Sequence, residues 1–346
     1  MNGLAYGSMS QNKELSNTIS RLSNLYRAGQ HEFMGNELAN ALDEYPDCAE
    51  LWNIAGGLAN HFGEFELAIG CFTKVLELSP NTHVPYLNLG LIYQQLGNFE
   101  AAAENFIKVL EKKPNDIHAL NSLGNIRKTE ERFDEAIDFY NRGLDIEAKN
   151  FDLNLNAAIV LQSQGRLTEA VERYNTLLSL SPDNHQTLFN LGTVYLELEE
   201  FQLACKFFSK IVSTGTQDAE VHYNFGCALW NSGKTEEATE QFRKTIELEP
   251  NHLKAFVNLG EIESLESNLS SANEFYLEGI TRFETANEPS IVGGDLEDGL
   301  QKNLTQSREE QAAYFTAKNN LGVLLQKQDQ PELAIAQFKE AIEIEP

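Results

Sequence analysis

A step of 34 residues joins Gly56, Gly90 and Gly124, and the same step joins Ala68, Ala102, Ala136, Ala170, Ala204, Ala238 and Ala272 without a slip. It also joins Phe72, Phe106, Tyr140, Tyr174, Phe208, Phe242 and Tyr276. Self-similarity at a fixed period of this size marks an array of identical supersecondary units stacked on their neighbours. Such a stack holds other molecules more often than it transforms them.

The frame can be set with position one of each repeat at Leu15, Ala49, His83, Ile117, Phe151, His185, Ala219 and Leu253, with a ninth repeat at Phe315 after 28 additional residues. Position eight is then glycine except at Leu22 and Ala158, and position twenty is alanine except at Met34. Position 24 is aromatic except at Leu38, and position 32 is proline at Pro46, Pro80, Pro114, Pro182, Pro250 and Pro346. Within a repeat, Tyr86, Leu89 and Tyr93 form a helical stripe, Gly97 interrupts it, and Ala102, Phe106 and Val109 begin a second stripe. Glycine at position eight and alanine at position twenty let the two helices approach closely, with the aromatic filling the space beside them. Proline cannot continue the second helix and so marks the turn into the next repeat.

The run Tyr86-x-x-Leu89-Gly90-x-x-Tyr93 with Ala102, Phe106 and Pro114 resembles the tetratricopeptide repeat (TPR) signature. Repeats two to nine carry it well and the first loosely, so the resemblance covers roughly residues 15–346. It implies an all-α fold, a right-handed superhelix of about nine helix pairs whose first helices line a concave groove. Residues 1–14 read as a polar N-terminal segment, 15–284 as repeats one to eight, 285–314 as an insertion and 315–346 as repeat nine. In the insertion, the stretch from Asn287 to Gly299 is rich in turn formers and is expected to be a loop. Ser307-Arg-Glu-Glu310 has the spacing of a capping box, so the next helix is expected to begin near residue 308. Asp295, Glu297 and Asp298 do not fit the spacing of an EF-hand calcium loop.

In the family, positions two, five, six, nine, twelve and thirteen face the groove or its edge. Position six is asparagine at Asn88, Asn156, Asn190, Asn224, Asn258 and Asn320, broken by Ser20, Ile54 and Ser122. A carboxamide both donates and accepts, which suits the backbone of an extended peptide. The arrangement resembles the asparagine ladder in the TPR superhelix of protein O-linked N-acetylglucosamine transferases. The competing reading is that Asn-Leu-Gly is general TPR consensus serving packing between repeats. The two-cation carboxylate clamp of cochaperone TPR domains is not matched, because Asn258 stands where a second cation beside Lys254 is needed. Groove-side cations (Arg27, Lys128, Lys254 and Lys327, with His61 and His118) are dispersed among amides, which suggests a polar, nearly neutral groove.

With 52 acidic against 26 basic residues, the chain has a formal net charge of -26. A surface this acidic is repelled by phosphate backbones and anionic lipid, which argues against nucleic-acid or membrane partners. Cys48, Cys71, Cys205 and Cys227 show neither disulfide nor zinc spacing, and no apolar run suggests a signal peptide or a membrane span. A cytoplasmic location follows as the expectation. The sequons at Asn268 and Asn303 are read as chance matches. No phosphate loop, HExxH or nucleophile elbow occurs, and the seven histidines are scattered, so neither catalysis nor a cofactor or metal is expected. The expected function is protein–protein interaction, with a protein or peptide partner. The alternative is the recognition half of a larger glycosyltransferase- or sulfotransferase-type chain, since bacterial arrays of this kind often continue into such domains. Leu333, Ile335, Phe338 and Ile342 lack a following repeat to cover them, so self-association through the last repeat is a further expectation.

Overall fold

The computed structural model describes residues 3–287 and 308–344. The loop expected beyond Asn287, the residues Asp295, Glu297 and Asp298, the Asn303 sequon and Ser307 lie outside the described residues. Eighteen α-helices and one 3-10 turn make up the described fold, with no strand among the described residues. By compactness the chain divides into Met1–Thr176 and Leu177–Pro346.

The N-terminal part holds α1 (Gly3–Arg27), the 3-10 turn (His31–Phe33) and α2 (Gly35–Glu44) as repeat one. Repeats two to four are α3 (Ala49–His61) with α4 (Phe65–Leu78), α5 (Val84–Gln95) with α6 (Phe99–Lys112), and α7 (Ile117–Thr129) with α8 (Phe133–Ile146). Repeat five is α9 (Phe151–Ser163) with α10 (Leu167–Leu180), and the division falls inside α10. The C-terminal part continues with α11 (His185–Glu197) and α12 (Phe201–Val212), then α13 (Ala219–Asn231) and α14 (Thr235–Leu248). It closes with α15 (Leu253–Leu265), α16 (Leu269–Asn287), α17 (Arg308–Lys327) and α18 (Pro331–Ile344).

The periodic residues explain why each pair closes. A Cβ added to Gly90 would lie 2.6 Å from the Phe106 ring, and one added to Gly226 would lie 2.6 Å from Phe242. The aromatic of position 24 therefore rests directly on the glycine of its own repeat, and a side chain there would collide with it. The alanines at position twenty are buried beside this contact. Repeat one departs from the pattern in a compensated way. Leu22 fills the glycine position while the smaller Leu38 replaces the aromatic, and both are buried with Met34. Helix starts are capped by polar side chains: the Ala101 N–H donates to Asn98 Oδ1 at 3.1 Å and the Thr187 N–H to Asn184 Oδ1 at 2.8 Å.

Position fifteen, between the helices of a pair, is left-handed in every repeat. Gly29, Gly63, Gly97, Gly165 and Gly233 adopt it freely, but Glu131, Glu199, Ser267 and Asp329 occupy it as well, with φ between 58° and 66°. Only one such turn, at Gly97, is marked in the reading of the sequence.

The junction of repeats eight and nine is built differently. α16 runs 19 residues and α17 runs 20, against 12 to 14 in the helices of repeats two to seven. α17 begins at Arg308, ahead of position one at Phe315, as the capping-box spacing anticipates. The added turns are held together by Phe283 stacked on Tyr314 at 5.2 Å between ring centres, and by the Tyr314 hydroxyl donating to Glu284. Lys318, only 7% exposed, donates to Glu284 at 3.0 Å and to Glu340 at 2.7 Å. Burial opposes the Lys318 charge, but the two carboxylates outweigh it and raise its pKa. Burial likewise works against Glu284, yet hydrogen bonds from Tyr314 and Lys318 hold its carboxyl below the ordinary range. An ammonium satisfied by two carboxylates ties α16, α17 and α18 into one block.

Candidate functional site

Each position-six asparagine is half-buried on a first helix, about one turn and a half from its start except for Asn320, which the early start of α17 places more than three turns in. In the N-terminal part, Asn156 Nδ2 donates to Asn121 Oδ1 of the preceding repeat at 3.0 Å, while the Asn88 side chain makes no hydrogen bond among the described residues. In the C-terminal part, Asn320 Nδ2 donates to Glu261 Oε1 at 2.9 Å and Asn258 Nδ2 to Cys227 Sγ at 3.7 Å. Both acceptors occupy position nine of the preceding repeat. Asn224 turns back on its own helix and donates to the Glu220 main-chain oxygen and to Oε1, at 3.0 and 3.1 Å. The Asn190 side chain is unbonded among the described residues; its main-chain oxygen accepts from Thr193 Oγ1 at 2.8 Å.

Three of the six thus spend a donor on the preceding repeat, which fixes the carboxamide and leaves its oxygen without a partner in the described chain. Packing between repeats accounts for the donors. The oxygens remain available as acceptors, the half of the group that a peptide N–H would use.

Three concavities of the C-terminal part are lined by residues of these helices. One, of about 330 Å³, is walled by Tyr223 of α13, by Val257 and Asn258 of α15, and by Ala312 and Ala313 of α17. Across its rim Lys254 Nζ meets Glu309 Oε2 at 2.6 Å. A second, of about 340 Å³, has Asn320, Glu261, Val323 and Lys327 in its lining, with Leu265 largely exposed beside them. A third, of about 360 Å³, is shared by Glu220, His252, Glu310 and Phe283. His252 caps α15 by accepting the Ala255 N–H on Nδ1 at 3.2 Å, so Nε2 carries the proton that faces Glu220 Oε2 at 3.6 Å. That contact with His252 is the main cause that lowers the Glu220 pKa, with Asn224 adding to it. Cys227, beneath Asn258, has its thiol pushed up to about 11 by burial and remains protonated at neutral pH.

The wall residues Glu309, Ala312 and Ala313 escape the reading of the sequence because they precede position one of repeat nine. The signal that could have found them was the capping-box spacing that starts the helix early. Lys254, the nearest match to a clamp cation, pairs with Glu309. Among the described residues, no three His, Cys, Asp or Glu side chains converge to hold a metal ion, and no helix is long and apolar enough to cross a membrane.

Tetratricopeptide repeat models match residues 36–82, 81–148, 160–198, 185–214, 219–252 and 315–346, so the chain belongs to the tetratricopeptide repeat family. No curated protein matches the sequence at a significant level. Among solved structures, the chain is similar to a tetratricopeptide repeat protein from Parabacteroides merdae, with 19% identity over 76% of this chain and 93% of that one and a TM-score of 0.55. It is similar to YrrB, a TPR protein with an unusual peptide-binding site, at 23% identity over 53% of this chain and 95% of YrrB, with a TM-score of 0.50. It is also similar to PilF of Pseudomonas aeruginosa, at 16% identity over 64% and 97% of the two chains, again with a TM-score of 0.50. At these identities the likeness is one of fold.

Proposed function

We propose that the chain is a non-catalytic scaffold that binds an extended segment of a partner protein along the faces of its first helices. The observation that carries this reading is the pair of carboxamide oxygens on Asn258 and Asn320 in the C-terminal part, oriented by bonds to the preceding repeat and without a hydrogen-bond partner among the described residues. Asn258 and Asn320 also line concavities of a size suited to side chains. Main-chain contacts would supply affinity with little dependence on sequence, and the concavities would supply selectivity. The peptide-binding site of YrrB is an analogy in the same fold.

The test is enrichment of random dodecapeptides from a display library on the full chain. Wild type should enrich binders, and Asn258→Ala and Asn320→Ala combined should weaken those binders at least tenfold while circular dichroism stays unchanged. Capture that survives the double substitution intact rules these asparagines out as the binding surface.

Self-association through the last repeat is the second reading. Ile335 and Ile342 are 53% and 60% exposed, whereas their equivalents Ile137 and Leu144 are buried. Sedimentation of wild type against Ile342→Lys tests it: a concentration-dependent dimer lost in the variant supports the reading, and a monomer at all concentrations refutes it.

A further inference from the structure

We infer that the residues extending α17 ahead of the ninth repeat build a selectivity pocket for one aliphatic side chain of the bound segment. The inference rests on the reading of the chain as a peptide-binding scaffold and names what one part of that surface selects.

The pocket exists only because α17 begins at Arg308. The first helices α3, α5, α7, α9, α11, α13 and α15 all begin at position one or two of their repeats, so none of them can offer residues equivalent to Glu309, Ala312 or Ala313. These extra turns do not float. Phe283 stacks on Tyr314, and Lys318 joins Glu284 to Glu340, so the wall formed by Ala312 and Ala313 is held at a fixed distance from α15. A fixed wall can discriminate between side chains by shape, which a frayed helix end cannot.

The chemistry of the cavity favours an uncharged aliphatic guest. Val257, Ala312 and Ala313 present methyl groups, and Tyr223 contributes to the opposite wall. The ladder residue Asn258 stands in the same lining, so a segment whose N–H reaches the Asn258 oxygen would bring a neighbouring side chain to the pocket. Lys254 and Glu309 neutralise each other across the rim at 2.6 Å. The pair is exposed and exchanges its partner at little cost, so what disfavours a charged guest is the methyl-lined interior, which it would enter without a partner of its own. A leucine or isoleucine gains the burial of its methylene and methyl groups with no such penalty.

The test uses the same display selection on the full chain, with one binder then synthesised as a pair that differs only by Leu or Ile against Ala. Wild-type selections should share a single aliphatic position, and its replacement by Ala should weaken binding roughly tenfold. Ala312→Phe fills the pocket from an exposed position, so the fold has no core to disturb; it should abolish the difference between the paired peptides while retaining the Ala peptide. Glu309→Ala frees Lys254 and should move the preference at that position towards Asp or Glu. Selections with no aliphatic position, or a Leu-to-Ala ratio unchanged by Ala312→Phe, overturn the pocket and leave the scaffold reading standing. A library that yields no binder on wild type overturns both.

Discussion

Repeats three and four and the junction of repeats eight and nine solve one problem by opposite means. In the first, helices of 12 to 14 residues close on a glycine–aromatic contact and an apolar interior of Ala102, Phe106, Val109 and Leu123. In the second, helices of 19 and 20 residues overrun the period and are locked by a buried lysine, two glutamates and a ring stack. Apolar packing that repeats identically specifies architecture but distinguishes no repeat from another. The polar lock holds in place a cavity wall, Ala312 and Ala313, that lies outside the 34-residue frame. The period carries the scaffold, and departures from it carry individuality.

That contrast predicts unequal costs. Phe106→Ala removes the ring resting on Gly90 and opens a cavity in a sealed core, which should destabilise repeats three and four by about 3–5 kcal/mol. Hydrogen-exchange protection of α5 and α6 is the measurement, because solenoid repeats open locally and a single global unfolding energy would blur the effect. Lys318→Ala should cost less, about 2 kcal/mol read in α17 and α18, since Glu284 and Glu340 are half exposed and regain water. Lys318→Met should stay within about 1 kcal/mol of wild type, because an apolar chain of similar volume removes the desolvation cost along with the ion pairs. The comparison fails if Lys318→Ala is as costly as Phe106→Ala.

The two regions should also part company with pH. Glu284 has a lowered folded pKa, so its contribution is complete above the unfolded value near pH 4.3 and is lost as pH falls through the folded one. Lys318 has a raised folded pKa, so its contribution is complete below about pH 10.4 and is lost as pH rises through the folded value. Protection of α17 should therefore fall at both extremes, and the Lys318→Met protein should lose this dependence on the alkaline side. α5 should report neither change, whereas the start of α7 should respond on the acid side alone, because burial works against the Asp116 carboxylate but Lys113 and the Ala119 N–H hold its pKa below the ordinary value.

The fold was legible where chemistry recurs. Gly90, Ala102 and Phe106 announce a close helix crossing because only small residues permit it, and the 34-residue step repeats the announcement along the chain. The candidate site was legible only in part. Position six shows where the asparagines stand, but which donors they spend depends on Asn121, Cys227 and Glu261 in the preceding repeats, residues that differ from one repeat to the next. Ala312 and Ala313 were invisible as a wall because a periodic frame has no place for residues that precede it. The left-handed turns at Glu131, Glu199 and Ser267 were hidden for another reason: nothing in those residue types signals a positive φ, whereas aspartate, as at Asp329, tolerates it better.

These turns give the smallest and sharpest test of the period as an architectural constraint. At position fifteen the backbone is left-handed whether or not glycine is present, with Glu131 at φ 58° and Gly97 at φ 74°. The neighbouring bonds enforce it: the Arg132 N–H reaches the Arg127 oxygen at 2.8 Å, as the Asn98 N–H reaches Tyr93 at 2.9 Å. A non-glycine residue held there pays a steric penalty of about 1 kcal/mol, offset in part by the greater freedom of glycine in the unfolded chain. Glu131→Gly should therefore raise the stability of repeat four by up to about 1 kcal/mol, measured by hydrogen exchange in α7 and α8. The reverse change, Gly97→Glu, should lower that of repeat three by a similar amount. Equal and opposite shifts would mean that the turn belongs to the repeat and not to its residue; no shift in either would mean that α7 and α8 close by a turn of their own.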